Sequence, residues 1–179
     1  MPHASDIPSA GLCDLLQAVG QCRKKPAFME ALRALYRCVD QAAADQGAVC
    51  MGGGVCCRFD VMGHQLYTSA GELALLGSVR APDMSRCDRG RCPYQRGPRC
   101  EARQVRPLGC RVFFCRGDLV RWSNETYEKY HRQLRRLHKT HLLPYAYVEL
   151  TAGLAQLGEI LSSLPDYSRS TSRAPLLLT

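Results

Sequence analysis

The chain has 179 residues, 46% of them hydrophobic, and a formal net charge of +8. That length suits one domain with helical additions, and that apolar fraction argues against wholesale disorder. No run approaches the roughly 18 consecutive apolar residues of a membrane span. The N-terminus Met1-Pro2-His3-Ala4-Ser5-Asp6 has neither the basic nor the apolar character of a secretory signal, so a reducing cytoplasm is the expected compartment.

Taken in chain order, residues 1–49 read as an N-terminal helical extension. Leu12, Leu15, Leu16 and Val19 recur at helical spacing behind Ser9. Phe28, Leu32, Leu35, Tyr36 and Val39 do so after Pro26, which suits a first turn. Cys13, Cys22 and Cys38 lack metal-like spacing and read as small buried or idle thiols, with Cys22→Ser expected to be tolerated. Residues 50–121 form the expected cysteine-cluster domain. It opens on Cys50, three glycines (Gly52, Gly53, Gly54) and Cys56-Cys57; the glycines allow a tight turn and close backbone approach to a bound group. Arg58-Phe59-Asp60-Val61 alternates as a short strand would, and Ser69-Ala70-Gly71-Glu72 has capping-box spacing before Leu73, Leu75 and Leu76.

Residues 80–121 are broken by prolines and glycines and have little apolar material of their own, so a metal site is the expected organiser. Residues 122–165 read as C-terminal helices packed on this domain. Ser123 or Asn124 is the expected cap, Tyr127, Tyr130, Leu134, Leu137 and His141 the apolar stripe, Pro144 the break, and 148–161 a second helix. Residues 166–179 read as a flexible tail.

The positive charge is unevenly placed. Net charge is −1 over residues 1–79, +7 over 80–121, where every cation is arginine, and +2 over 122–179. Arginines among so many potential thiolates are expected mainly to balance sulfur charge, so a nucleic acid is not the expected partner of this block.

Eight of the eleven cysteines fall between residues 50 and 115, and five of them follow the order Cys87-x4-Cys92-Pro93-Tyr94-x5-Cys100-x9-Cys110-x4-Cys115. Thiols at that density in a reducing compartment hold metal rather than form disulfides. Thiolates serve zinc and iron–sulfur clusters alike. The absence of a C-x2-C pair in the sequence departs from the usual zinc knuckle, and the wider gaps suit a cluster. Phe59, Tyr94, Phe113 and Phe114 flank the sulfurs. His64 reads as a stray ligand at most, and His131, His138 and His141 as surface or packing residues. No catalytic constellation stands out.

Cys50-x5-Cys56-Cys57, Cys92-Pro93-Tyr94, Cys100-Glu101-Ala102 and Arg106-Pro107-Leu108-Gly109-Cys110-Arg111, in that order, resemble the YkgJ-type, CxxCxxCC cysteine-cluster family. That family is described as a zinc- or iron-chelating domain. The resemblance covers about residues 50–116 and implies Cys50, Cys56, Cys57, Cys92, Cys100 and Cys110 as ligands. Gly53 stands where the family has its second cysteine, so Cys87 or Cys115 is the expected completion, Cys87 for preference. Relatives likened to flagellin lysine N-methylases make a protein-lysine methylase an alternative. No glycine-rich S-adenosylmethionine loop accompanies it here.

The expected fold is therefore α+β, a mainly helical small domain with an irregular cysteine-rich, metal-organised centre. The expected function is binding of an iron–sulfur cluster, or of zinc, in a structural or electron-transfer role. A zinc-organised nucleic-acid module is the other alternative. A protein partner is left open, and no membrane association is expected.

Overall fold

The computed structural model describes residues 9–79 and 82–161. It is mainly helical, with two small two-stranded antiparallel sheets. Helix α1 (Ser9–Arg23) and helix α2 (Pro26–Asp45) occupy the segment where two helices were expected, with Pro26 in the first turn of α2. The side chain of Cys13 and the tail at 166–179 lie outside the described residues. Helix α2 buries Phe28, Met29, Leu32, Tyr36, Val39 and Ala43, a single face at helical spacing.

Strand β1 (Tyr67–Ser69) leads into helix α4 (Ala70–Leu76), which follows the four-residue helix α3 (Phe59–Met62). The capping box is present: Ser69 Oγ accepts from Glu72 N at 3.3 Å, and Glu72 Oε2 accepts from Ser69 N at 2.8 Å. Every residue of α4 is buried, so this helix is the centre of the molecule. A Cβ at Gly71 would stand 2.6 Å from the Phe28 ring and 2.9 Å from His138 Nε2; only glycine allows α4 to approach its neighbours so closely.

Strand β2 (Gln95–Arg96) and strand β3 (Arg99–Cys100) form a tight hairpin, and helix α5 (Leu108–Val112) follows. The long helix α6 (Val120–Thr140) buries Thr126, Tyr130, Leu134 and His138, spaced by four, against α2 and the core. Strand β4 (Tyr147–Glu149) then pairs antiparallel with β1, Tyr67 opposite Glu149 and Ser69 opposite Tyr147, before helix α7 (Leu150–Leu161). The main core joins Leu15, Phe28, Leu32, Leu73, Leu75, Leu134 and Leu154. It draws on the N-terminal helices, the middle segment and the C-terminal helices together. Among the described residues no helix is long and apolar enough to cross a membrane.

Three local expectations need correction. Residues 59–62 form a helical turn rather than a strand, and only Arg58 makes a β-bridge, to Arg91. Helix α6 begins at Val120, continuing a 3-10 turn at Gly117–Leu119, so Ser123 and Asn124 lie inside its first turns and not at the cap. Cys22 is wholly buried in the main core. A serine there would bury a hydroxyl among apolar neighbours, so Cys22→Ser is expected to cost about 1–3 kcal/mol and not to be neutral. A denaturant melt against the parent checks this.

Candidate metal centre

The loop after α2 is shaped by glycines. Gly52 and Gly54 have φ of 71° and 67°, in the left-handed region that side chains disfavour. Gly54 opens the 3-10 turn Val55–Cys57, whose backbone is stitched to the rest of the middle segment. Cys57 N donates to Gly54 O at 3.1 Å, Gln95 Nε2 donates to the same oxygen at 3.1 Å, and Cys92 N donates to Cys57 O at 2.8 Å. A Cβ on Gly54 would stand 2.8 Å from both Gln95 Nε2 and Pro98 O. Gly53, by contrast, has no positive φ, and its nearest neighbour is Val55 Cγ2 at 3.7 Å. Gly54→Ala is therefore expected to lower the thermal midpoint by several degrees and reduce metal loading, whereas Gly53→Cys should fold as the parent does; paired melts with metal analysis check the contrast.

Four separate elements bring sulfur to one place. The glycine loop carries Cys50, the 3-10 turn Cys56 and Cys57, the β2–β3 hairpin region Cys92 and Cys100, and α5 Cys110. All six line a single cavity of about 290 Å³. They are the six cysteines singled out by the family resemblance. Cys87, in the 3-10 turn Met84–Arg89, and the exposed Cys115 are not among the described residues of this wall. Cys22, Cys38, Cys50, Cys56, Cys57, Cys92, Cys100, Cys110 and Cys115 are not cross-linked.

Cys57 is the centre of the set. Its sulfur lies 4.0 Å from that of Cys56, and contacts with Cys100, Cys56 and Cys92 hold its proton, raising its pKa far above the usual thiol value. The same sharing lowers its neighbours: the bond from Cys57 brings Cys56 to about 6 and Cys100 to about 7. Cys50 is lowered chiefly by Arg103, whose Nη1 donates to Cys50 Sγ at 3.6 Å. Cys110 is raised well above the usual value by burial, with the charges of Cys92 and Cys100 adding to it. Cys56, Cys57 and Cys100 thus share protons and titrate together.

Arg99, Arg103 and Arg106 also line the cavity, with Tyr94, Leu76 and Leu150 on its apolar side. Arg106 and Arg103 both favour the ionised form of Cys56. These arginines are site residues that the cysteine spacing did not point to. The sequence points to them through charge instead: the arginines of 80–121 are expected to balance sulfur, and Arg106 belongs to the motif that ends at Cys110 and Arg111. Deeper support comes from Arg111, which is buried, donates from Nε to Arg106 O at 3.0 Å, pairs with Asp40 at 2.5 Å, and stacks over Tyr36 at 3.9 Å. It anchors the loop that carries Arg103 and Arg106.

Of the flanking aromatics only Tyr94 faces the cavity, its hydroxyl donating to Leu76 O at 3.4 Å. Phe59 and Phe113 instead enclose His64, at centroid distances of 5.2 Å and 5.0 Å, and Phe114 tilts against Trp122. Burial lowers the pKa of His64, which lies outside the cavity wall with its Nδ1 buried and without a hydrogen-bond partner among the described residues. His138 is core: Nδ1 bonds Pro144 O at 2.9 Å.

The six cysteines share the wall of one cavity, with Cys57 in contact with Cys56, Cys92 and Cys100. Among the described residues no three His, Cys, Asp or Glu side chains are already gathered as a single ion needs. The donor set still fits a thiophilic group: soft sulfur, lowered pKa at three positions, cationic side chains nearby and an apolar lining. No family model matches the chain, and no curated protein and no solved structure matches it.

Proposed function

We propose that the six-thiol cavity binds an iron–sulfur cluster in a structural or electron-transferring role, with ligands drawn from Cys50, Cys56, Cys57, Cys92, Cys100 and Cys110. The observation that carries this reading is the gathering of those six thiols, from four separate elements, on one cavity of about 290 Å³. Six sulfurs and that volume suit a group of several atoms better than one ion. The resemblance of the cysteine order to the YkgJ-type family, described as zinc- or iron-chelating, supports a thiol-held metal without separating cluster from zinc. A bound cluster would supply one-electron transfer, or act only as a cross-link. The chain's own part is to hold thiolates, offset their charge with Arg99, Arg103 and Arg106, and keep water away with Tyr94, Leu76 and Leu150.

One observation favours zinc as a second reading. The Cys56–Cys57 separation of 4.0 Å is close to the edge of a tetrahedral zinc–thiolate site, roughly 3.8 Å for Zn–S bonds of about 2.3 Å. Cys56, Cys57, Cys92 and Cys100 would then be the ligands. Anaerobic purification followed by iron, zinc and acid-labile sulfide analysis with a visible spectrum separates the two. Brown protein with iron and sulfide in equal amounts supports the cluster; colourless protein with stoichiometric zinc supports the second reading. Protein that takes up neither under anaerobic reconstitution refutes both.

A further inference from the structure

The described arginines of the cysteine-rich middle are largely committed. Arg86 pairs with Asp83 at 2.9 Å, Arg96 with Glu101 at 3.2 Å, Arg111 with Asp40 and Arg116 with Asp118, while Arg103 donates to Cys50. Helix α6 is different. Arg132, Arg135, Arg136 and Lys139 stand at i, i+3, i+4 and i+7, so they share one face, and all four are exposed. Among the described residues none of them has a carboxylate within ion-pair distance. Like charges at these spacings repel one another, although Lys139, in the last turn of α6, is favoured there by the helix dipole.

These four side chains line an open groove of about 550 Å³ together with Leu143 and Tyr145. The Arg135 guanidinium lies 5.7 Å from the centre of the Tyr145 ring, and that ring is stacked at 6.1 Å on Tyr147, itself stacked at 5.5 Å on Tyr67. Tyr67 and Tyr147 are 42% and 38% exposed. At the other end the exposed Arg23 and Lys24 adjoin the end of α6, because Lys25 Nζ donates to His141 O at 2.5 Å.

We infer that this groove binds single-stranded nucleic acid, with the α6 cations on consecutive phosphates and a base laid against the Tyr145–Arg135 pair. Three of the four cations are arginine, the side chain whose planar fork matches phosphate. Arg132 and Lys139 are separated by about 10 Å along the helix axis, room for a short stretch of strand. An open groove with the Tyr145 and His138 rings in its lining offers a surface for an unstacked base, which favours a single strand over a duplex. Charge alone would also attract an acidic peptide, but such a chain has no use for the Tyr145 ring beside Arg135. This inference does not depend on which metal fills the cysteine cavity.

The test is fluorescence anisotropy of a labelled oligothymidylate with the full chain over a range of salt. Saturable binding is expected, with log affinity falling against log salt at a slope near −3, about 0.7 for each of four phosphates. The exposed pair R132E/R136E is expected to weaken binding at least tenfold and flatten the slope by about 1.4, with an unchanged melt. No saturable binding overturns the inference. So does affinity that survives R132E/R136E, and so does equal competition by polyglutamate of matched charge, which would point to a protein partner instead.

Discussion

Cys57→Ser is expected to reduce metal retention by more than about 100-fold. Changes to groups that only support a ligand already cost about 10–100-fold, and Cys57 is central to the sulfur set itself. Its residue is 7% exposed, its sulfur touches Cys56 at 4.0 Å, and its proton is shared with Cys100 and Cys92. A serine oxygen is a harder donor with a shorter reach, so the soft site loses the sulfur that the other three surround. The backbone bonds through Gly54 O and Cys92 N do not involve this side chain, so the fold should persist while loading falls. Metal and sulfide per chain, measured after anaerobic reconstitution, check the result. Cys115→Ser, outside the cavity wall, should load as the parent does. Full loading of Cys57→Ser would end the six-thiol reading. If Cys57→Ser and Cys115→Ser lost metal equally, the cavity would not be the site.

The parts of this molecule that were readable in the chain are those governed by local rules. Helix α2 announces itself through Pro26 and a regular apolar face, and α4 through the Ser69–Glu72 box, because both depend on residues within one or two turns. Residues 58–61 misled because four residues are too few to separate a period of two from one of 3.6. Ser123 and Asn124 have the chemistry of caps, yet the 3-10 turn at Gly117–Leu119 delivers the chain into α6 already wound. The pairing of β1 with β4 joins three-residue strands some 80 positions apart, and nothing local specifies it.

The candidate site divides in the same way. The order of Cys50, Cys56, Cys57, Cys92, Cys100 and Cys110 carries enough pattern to group them. The cationic wall does not, since Arg99, Arg103 and Arg106 reach the cavity only through the hairpin turn and the Arg111 anchor. The net charge drew attention to the arginines of 80–121, several of which meet carboxylates or the sulfur cavity, whereas a run of four exposed cations without ion-pair partners among the described residues stands on α6.

Glu72→Ala is expected to be the most destabilising single substitution outside the sulfur set. The carboxylate is 2% exposed and accepts from Leu108 N at 2.7 Å, Ser69 N at 2.8 Å, Ser69 Oγ at 3.0 Å and Tyr36 Oη at 3.2 Å. One side chain thus ties the start of α4 to α2 and to the first turn of α5, two residues before Cys110. Truncation leaves those donors buried without acceptors. A buried unsatisfied group costs about 1–3 kcal/mol, so the loss should reach about 4 kcal/mol even if some donors find other partners. For a chain of this size that is a fall of roughly 8–16 °C in the thermal midpoint. Glu72→Gln keeps one acceptor oxygen but turns an amide N–H toward groups that are themselves donors, and should fall between alanine and the parent. Because Leu108 N is no longer held, α5 loses part of its seating, and metal loading should drop in the same order. Melting curves and metal content for the three proteins measure both effects. If Glu72→Ala melts within about 1 °C of the parent, the carboxylate is not the joint between these helices. If it melts low but loads fully, α5 is placed by the sulfurs rather than by Glu72.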